Sequence, residues 1–419
     1  MAAAHADGAP LQPAEAKRLA RRLARSERST RLSALLLVAP LLLFLLMVFI
    51  GPLLMMLSRG VRDAEVAQAL PATVLALRDW RHEEPVPDAA FRALADDLSK
   101  AHMPAAVAEA AARLNYALPG LRSMLMGARA RMRNLPADPR AFFVGLSSRW
   151  DDKATWSAIR QASGPLTDFY LLSALDLKRS PAGSIEAVPA GESAFVPAIL
   201  RTFGISFGVT ALAILLGFPF AYLMATTGKR MASVMMLVLL LPFWTAVMVR
   251  VLAWSMLLGR EGIVNDGLRS LGLLSQPLDL LYNRTAVLVS LVHIFIPYMV
   301  LPLYSVMKTI PASQMRAAAS LGAPPAMAFR RIFLPQIVPG LAAGSLLVFI
   351  HSLGVFVVPA VLGGPREQGL PVLVVNYVTK APNWGLAAAL SMVLLVSVYL
   401  LYWLFVKLTK TVTPSVSAR

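Results

Sequence analysis

Six segments of the chain, 34–58, 197–225, 232–258, 286–307, 341–362 and 386–405, are apolar for long enough to cross a bilayer core. A helix needs about 20 such residues for the crossing, and in lipid every backbone N–H and C=O must be satisfied internally. The expected class is therefore an all-α polytopic membrane protein with six transmembrane helices. Composition agrees, with 57% hydrophobic and only 15% charged residues among 419, where soluble domains carry about a quarter charged. The first apolar segment is far longer than the roughly 7–15 residues of a signal-peptide core, and no small-residue cleavage site follows it. It reads as an uncleaved anchor.

The net charge of +17 raises the question of nucleic acid, but its distribution answers against that partner. Lys17, Arg18, Arg21, Arg22, Arg25, Arg28 and Arg31 precede the first span, Lys229 and Arg230 follow the second, Lys308, Arg316, Arg330 and Arg331 follow the fourth, and Lys407, Lys410 and Arg419 end the chain. These alternate connections hold sixteen basic and three acidic residues, whereas the opposite side is nearly balanced at 22 and 20. Positive flanks stay in the cytoplasm, so both termini are expected inside. The domain reading is a basic arm at 1–33, a first span at 34–58, an extracytoplasmic domain at 59–196, a five-helix core at 197–408 with a cytoplasmic loop at 308–339, and a tail at 409–419. Membrane lipid is an expected partner throughout.

The segment 59–196 is a different material. Helical spacing recurs in Phe91, Leu94 and Leu98 and again in Leu114, Leu118, Leu121 and Leu125. Trp80, Phe142, Phe143, Trp150, Trp156, Phe169 and Tyr170 supply more aromatic surface than a disordered insertion carries. Pro85, Pro104, Pro119, Pro136 and Pro165 are expected at helix starts. A helical domain follows from the pattern.

Several chemistries find no residues here. There is no cysteine and no paired-histidine metal motif among the five histidines, so no metal site is expected. The one Gly-Lys pair, Gly228-Lys229, lacks the leading glycine and the trailing hydroxyl of a phosphate-cradling loop. No nucleotide or other cofactor is expected on this chain, and no catalytic residue. No apolar span contains Asp or Glu, which disfavours a self-sufficient proton- or ion-coupled carrier or channel, the alternative reading. Arg250 in the third span either lines a path or snorkels outward. His293 and His351 either join helices by hydrogen bonds or face the same path, for which Trp254 and Tyr298 are further candidates.

One connection is more elaborate than a loop needs to be. Between the fourth and fifth spans runs "MRAAASLGAPPAMAFRRIFLPQIVPG", from Met315 to Gly340. Pro311 and Ser313 can start a helix through Leu321, Gly322 supplies a break, and Pro324 or Pro325 starts a second helix ending near Leu334 and Pro335. Leu321, Phe329, Ile332 and Phe333 would form an apolar surface beside Arg330 and Arg331. Such a unit can dock in another protein's groove; the competing reading is a helix resting on anionic lipid.

The segment resembles the cytoplasmic coupling loop of ABC-importer permeases, whose pattern is E-A-A-x3-G-x9-I-x-L-P. Here it reads Arg316-Ala317-Ala318, three residues, Gly322, nine residues, then Ile332-Phe333-Leu334-Pro335. Every spacing matches, and arginine replaces the usual glutamate. "RTFGISFGVTALAILLGFPFAYLMA", "LPFWTAVMVRVLAWSMLLGREGIVN" and "VLVSLVHIFIPYMVLPLYSVMKTIP" further resemble spermidine/putrescine-type permeases. The resemblance implies a permease in a bacterial inner membrane, carrying a polyamine or related amine or opine. It implies three partners: a second permease subunit, a separate ATPase dimer that binds ATP and receives the coupling loop, and an extracytoplasmic solute-binding protein. The insertion at 59–196 lies outside the compact form of that family.

Overall fold

The structure is a computed structural model, and it describes residues 36–100, 104–132 and 135–412. The basic arm at 1–33 and the last residues of the tail, Arg419 included, lie outside the described residues. The chain divides into two units, Met1–Ser58 and Arg59–Arg419.

In the first unit, α1 spans Leu36–Ser58 without a charged side chain and with no buried one. A helix apolar on every side is stable only when apolar surroundings cover it, as lipid does.

The second unit begins with eight helices. They are α2 (Glu65–Ala69), α3 (Pro71–Ala76), α4 (Asp88–Lys100), α5 (Pro104–Ala117), α6 (Leu121–Arg131), α7 (Pro139–Leu146), α8 (Lys153–Gln161) and α9 (Phe169–Ala174). A short antiparallel hairpin of β1 (Leu177–Arg179) and β2 (Ile185–Ala187) follows, with Lys178 opposite Glu186. The spacing residues Phe91, Leu94, Leu98, Leu114, Leu121 and Leu125 are buried as their periodicity requires. Around them the indoles close a core: the Phe91 and Trp156 rings lie 4.6 Å apart, and Trp156 Nε1 donates to the Trp150 carbonyl at 2.7 Å. Of the five prolines expected at helix starts, only Pro104 opens a helix; the others sit in connections, and Pro139 opens α7 behind an Asp138 cap. The two ends of this helical segment meet. Arg62 bridges Leu166, the Asp63 N–H donates to the Pro165 carbonyl at 3.3 Å, and the Thr167 N–H donates to Val61 at 2.8 Å.

The apolar helices come next: α10 (Phe195–Thr226), α11 (Lys229–Trp244), α12 (Val247–Leu257), α13 (Ile263–Ser270), α14 (Arg284–Thr309), α15 (Ala312–Ser320), α16 (Pro325–Gly354), α17 (Val357–Leu362), α18 (Leu370–Thr379) and α19 (Trp384–Val412). Helix α14 is the centre, with α10 and α16 packed against it. A Cβ on Gly217 of α10 would meet Met299 Cγ at 2.9 Å, and one on Gly344 of α16 would meet Met299 Sδ at 2.9 Å. Small residues let these backbones approach as membrane helices do.

Two expected spans change shape. The third, expected at 232–258, is broken: α11 and α12 meet at 99°. Pro242 has no N–H to continue the helix, the chain tightens into a 3₁₀ turn at Leu241–Trp244, and Thr245 and Ala246 are extended. Five described helices are therefore unbroken spans, and the bent pair makes a sixth if it crosses as one. The fifth span was expected at 341–362 but runs from Pro325 to Gly354, with α17 separate after extended Val355. The protein is an all-α polytopic membrane protein apart from one small hairpin among the described residues.

Candidate functional site

Helix α15 ends in a defined stop. The Gly322 N–H donates to the Ala319 carbonyl and the Ala323 N–H to the Ala318 carbonyl, both at 3.0 Å. This pair of bonds is a Schellman motif, and its left-handed residue is Gly322 at φ +81°. Pro324 then precedes α16, so the chain reverses within Leu321–Pro324. Gln336 Nε2 donates to Gln314 Oε1 at 2.8 Å, pinning α15 to the first turns of α16.

The expected end of the second short helix near Leu334 and Pro335 is not there. A π-turn at Phe329–Phe333 leads directly into the span. A proline ring inside a helix clashes with the carbonyl four residues back, and a wider turn just before Pro335 gives it room. The connection is therefore one short helix, a glycine turn and an unbroken helix into the membrane core.

The expected apolar docking surface is also redrawn. Phe333 is buried, and Phe329 and Ile332 are half-buried. Phe329 packs edge-on to Phe218 and Tyr222 of α10, and Phe333 edge-on to Tyr222. These aromatics find apolar partners within the chain, which leaves Leu321 as the exposed apolar residue of the turn at 89% exposure. Arg316 and Ala317 are exposed, Ala318 is buried under the turn, Leu334 is half-buried and Pro335 exposed. Arg330 and Arg331 are exposed as well, so the free face is cationic around one leucine.

The other candidates fall into two groups. Arg250 and Trp254, four residues apart, share one face of α12. Trp254 Nε1 donates to His293 Nδ1 at 3.2 Å, joining α12 to α14. Half-buried Arg250 has its Nε enclosed without a hydrogen-bond partner. The second group is Tyr298 and His351, whose rings lie 4.5 Å apart, with Phe295 and Phe243 beside them. His351 Nδ1 bonds the Leu347 carbonyl of its own helix at 2.8 Å. A carbonyl only accepts, so that nitrogen carries the proton. Of the two histidines, His293 is the one that joins helices. Among the described span residues there is no Asp or Glu; what these faces offer a solute is π-surface and imidazole, which attract cations modestly.

Two features were invisible in the sequence. Asp176, at φ +53° just before the hairpin, accepts from Ser193 Oγ at 2.6 Å and from the N–H groups of Ala194, Phe195 and Val196, the last at 2.7 Å. It anchors the start of α10. Burial pushes its carboxyl upward, but the Ser193 hydroxyl and the three N–H donors outweigh burial and hold it below the usual range. Arg113 and Asp63 form a buried ion pair at 2.6 Å, with the guanidinium 3.8 Å over the Phe169 ring. Next to it Tyr170 packs on α19, where a Cβ on Gly385 would run into its ring. No periodicity or motif flags either carboxylate; Gly385 opposite an aromatic is the one trace.

Residues 212–414 match the family described as binding-protein-dependent transport system inner membrane component. The chain is 34% identical over 212 residues to the spermidine/putrescine transport system permease protein PotB of Haemophilus influenzae, across 49% of this chain and 72% of that protein. It is 30% identical over 208 residues to PotB of Escherichia coli, across 49% and 76%. It is also 30% identical over 190 residues to the molybdenum transport system permease protein ModB of Mycobacterium bovis, across 45% and 69%. The matched region begins inside α10, so the helical segment α2–α9 precedes it. With that extent of likeness and several spans, the chain belongs to the binding-protein-dependent inner membrane components, the multi-pass permease subunits of ABC importers.

Proposed function

We propose that this permease moves a polyamine or related small amine, delivered by an extracytoplasmic binding protein and driven by ATP on a separate ATPase dimer. The observation that carries the reading is the coupling segment: its spacing matches the family pattern, and its second helix is the first part of α16, which runs on into the span without a break. A rigid-body movement of α15 and the glycine turn would then be a movement of the span, which is how closure of the ATPases would reach the membrane. A second permease subunit completes the path, which in this chain runs along Arg250, Trp254, His293, Tyr298 and His351. The basic flanks support cytoplasmic termini in a bacterial inner membrane, with the domain at 59–196 outside and the loop at 308–339 inside.

The amine reading is supported by the likeness to PotB and by the aromatic faces. The likeness to ModB marks the chief alternative, an oxyanion. The test is uptake by proteoliposomes holding the complete system, with labelled spermidine, putrescine and molybdate offered in turn. Uptake of either amine alone is expected; uptake of molybdate alone would overturn the substrate. The purified chain by itself is expected to hydrolyse no ATP, and hydrolysis is expected on co-expression with the separate ATPase.

A further inference from the structure

A cleft of about 1010 Å³ opens in the segment before the spans, between α5, α8, α9 and the hairpin. Five cations line it, against Asp168 and Glu186. Three of the five are held in place. Arg179 is paired with Asp168, Arg160 Nη1 donates to the Trp80 carbonyl at 2.7 Å, and Arg113 is bound to Asp63. Arg113 is only 4% exposed and its Nη1 has no partner, so a buried donor is left unsatisfied at the cleft. Such a group costs free energy unless an acceptor reaches it. Arg78 and Lys178 are exposed, and neither side chain has an ion pair or hydrogen bond among the described residues. The remaining wall is largely apolar, with Leu118, Leu172 and the Phe169 ring among its parts. The volume is at the upper end of small-molecule sites, which run from about 300 to 1,000 Å³.

We propose that this cleft binds a small organic carboxylate with an apolar body, at a site separate from the translocation path. The carboxylate meets the Arg78, Lys178 and Arg113 side, and the apolar body lies along Leu118 and Phe169. Cations beside apolar walls favour such an anion over both a neutral analogue and a fully hydrated inorganic ion. None of the path candidates lines the cleft, so occupancy is independent of what the permease carries.

The test uses the full chain in nanodiscs of neutral lipid with 3-phenylpropionate as the probe and its neutral amide as control. Saturable binding of the carboxylate is expected below about 10 mM, with the amide at least about fivefold weaker. The double variant Arg78→Gln, Lys178→Gln alters two exposed side chains and is expected to keep the parent unfolding midpoint while weakening the carboxylate about fivefold or more. Absence of saturable binding, equal binding of the amide, or unchanged affinity in the double variant would overturn the site. If the carboxylate fails to bind and the double variant instead loses affinity for the cognate binding protein, the cleft is a protein-docking surface and the small-molecule proposal is wrong.

Discussion

Asp176 shows how much one side chain can hold in place. Its carboxylate receives four donors at the start of α10, where the helix dipole also favours negative charge. Aspartate tolerates the left-handed backbone better than most residues, so φ +53° costs little there. Because its folded pKa lies below the unfolded one, the stabilisation is complete above the unfolded value of about 3.9. It is lost as pH falls through the folded pKa. The contribution of Asp176 to the unfolding midpoint in detergent is expected to be constant from pH 7 to 5 and to fall away below about pH 4, so Asp176→Asn is expected to blunt the acid limb. Asp176→Ala is expected to cost about 1–3 kcal/mol; a midpoint unchanged in both variants would show the anchor to be dispensable. Arg316 is the opposite case, legible in the sequence as a departure from the family pattern. It is exposed on α15, so replacing it strips no internal packing. If the second permease subunit supplies the family's glutamate, Arg316→Glu is expected to co-purify the ATPase at parent levels. Loss of the ATPase, rescued by a charge reversal on the ATPase, would place the compensating acid there instead.

Among the elements, the coupling unit divides into what its residue types dictate and what only packing decides. The break after α15 was legible because glycine is the default residue in the left-handed conformation. A Cβ on Gly322 would meet nothing within 4 Å, so the cost of Gly322→Val is confined to the backbone, about 1 kcal/mol or more. That variant is expected to reach the membrane normally and lose transport, while Gly322→Asn, which enters the left-handed region more readily, recovers part of it. Full transport by the valine variant would mean that the turn tolerates another geometry. The continuation of α16 through Pro335 was not legible. Proline reads as a helix end, and nothing in the local pattern announces a π-turn that makes room for it. A related limit explains α11 and α12, where an apolar window has the length of a span and Pro242 marks a weak point in it but not the 99° bend that follows. Phe329 and Phe333 were assigned to a docking face because both are apolar, but Tyr222 and Phe218 on α10, more than 100 residues away in sequence, claim them first.

At the scale of the molecule, the long apolar segments announced the class because lipid leaves the chain so little choice, whereas the mounting of the helical segment on the core could not be read. That mounting has two parts. Asp176 and Tyr170 tie the final turns of the segment to α10 and α19, so a deletion that removes them strips contacts from two spans. The preceding part is different: residues 61–63 and 165–167 hydrogen-bond to each other, so the intervening helices leave and return at one place. Insertions with adjacent ends tolerate excision. Replacing residues 64–164 by a short glycine-serine linker should therefore preserve insertion and the unfolding of the spans. If the excised helices receive the binding protein, stimulation of ATP hydrolysis by that protein falls while basal hydrolysis by the assembled complex persists. Equal stimulation with and without residues 64–164 would instead leave them as a spacer, with one wall of the cationic cleft but no part of the transport cycle.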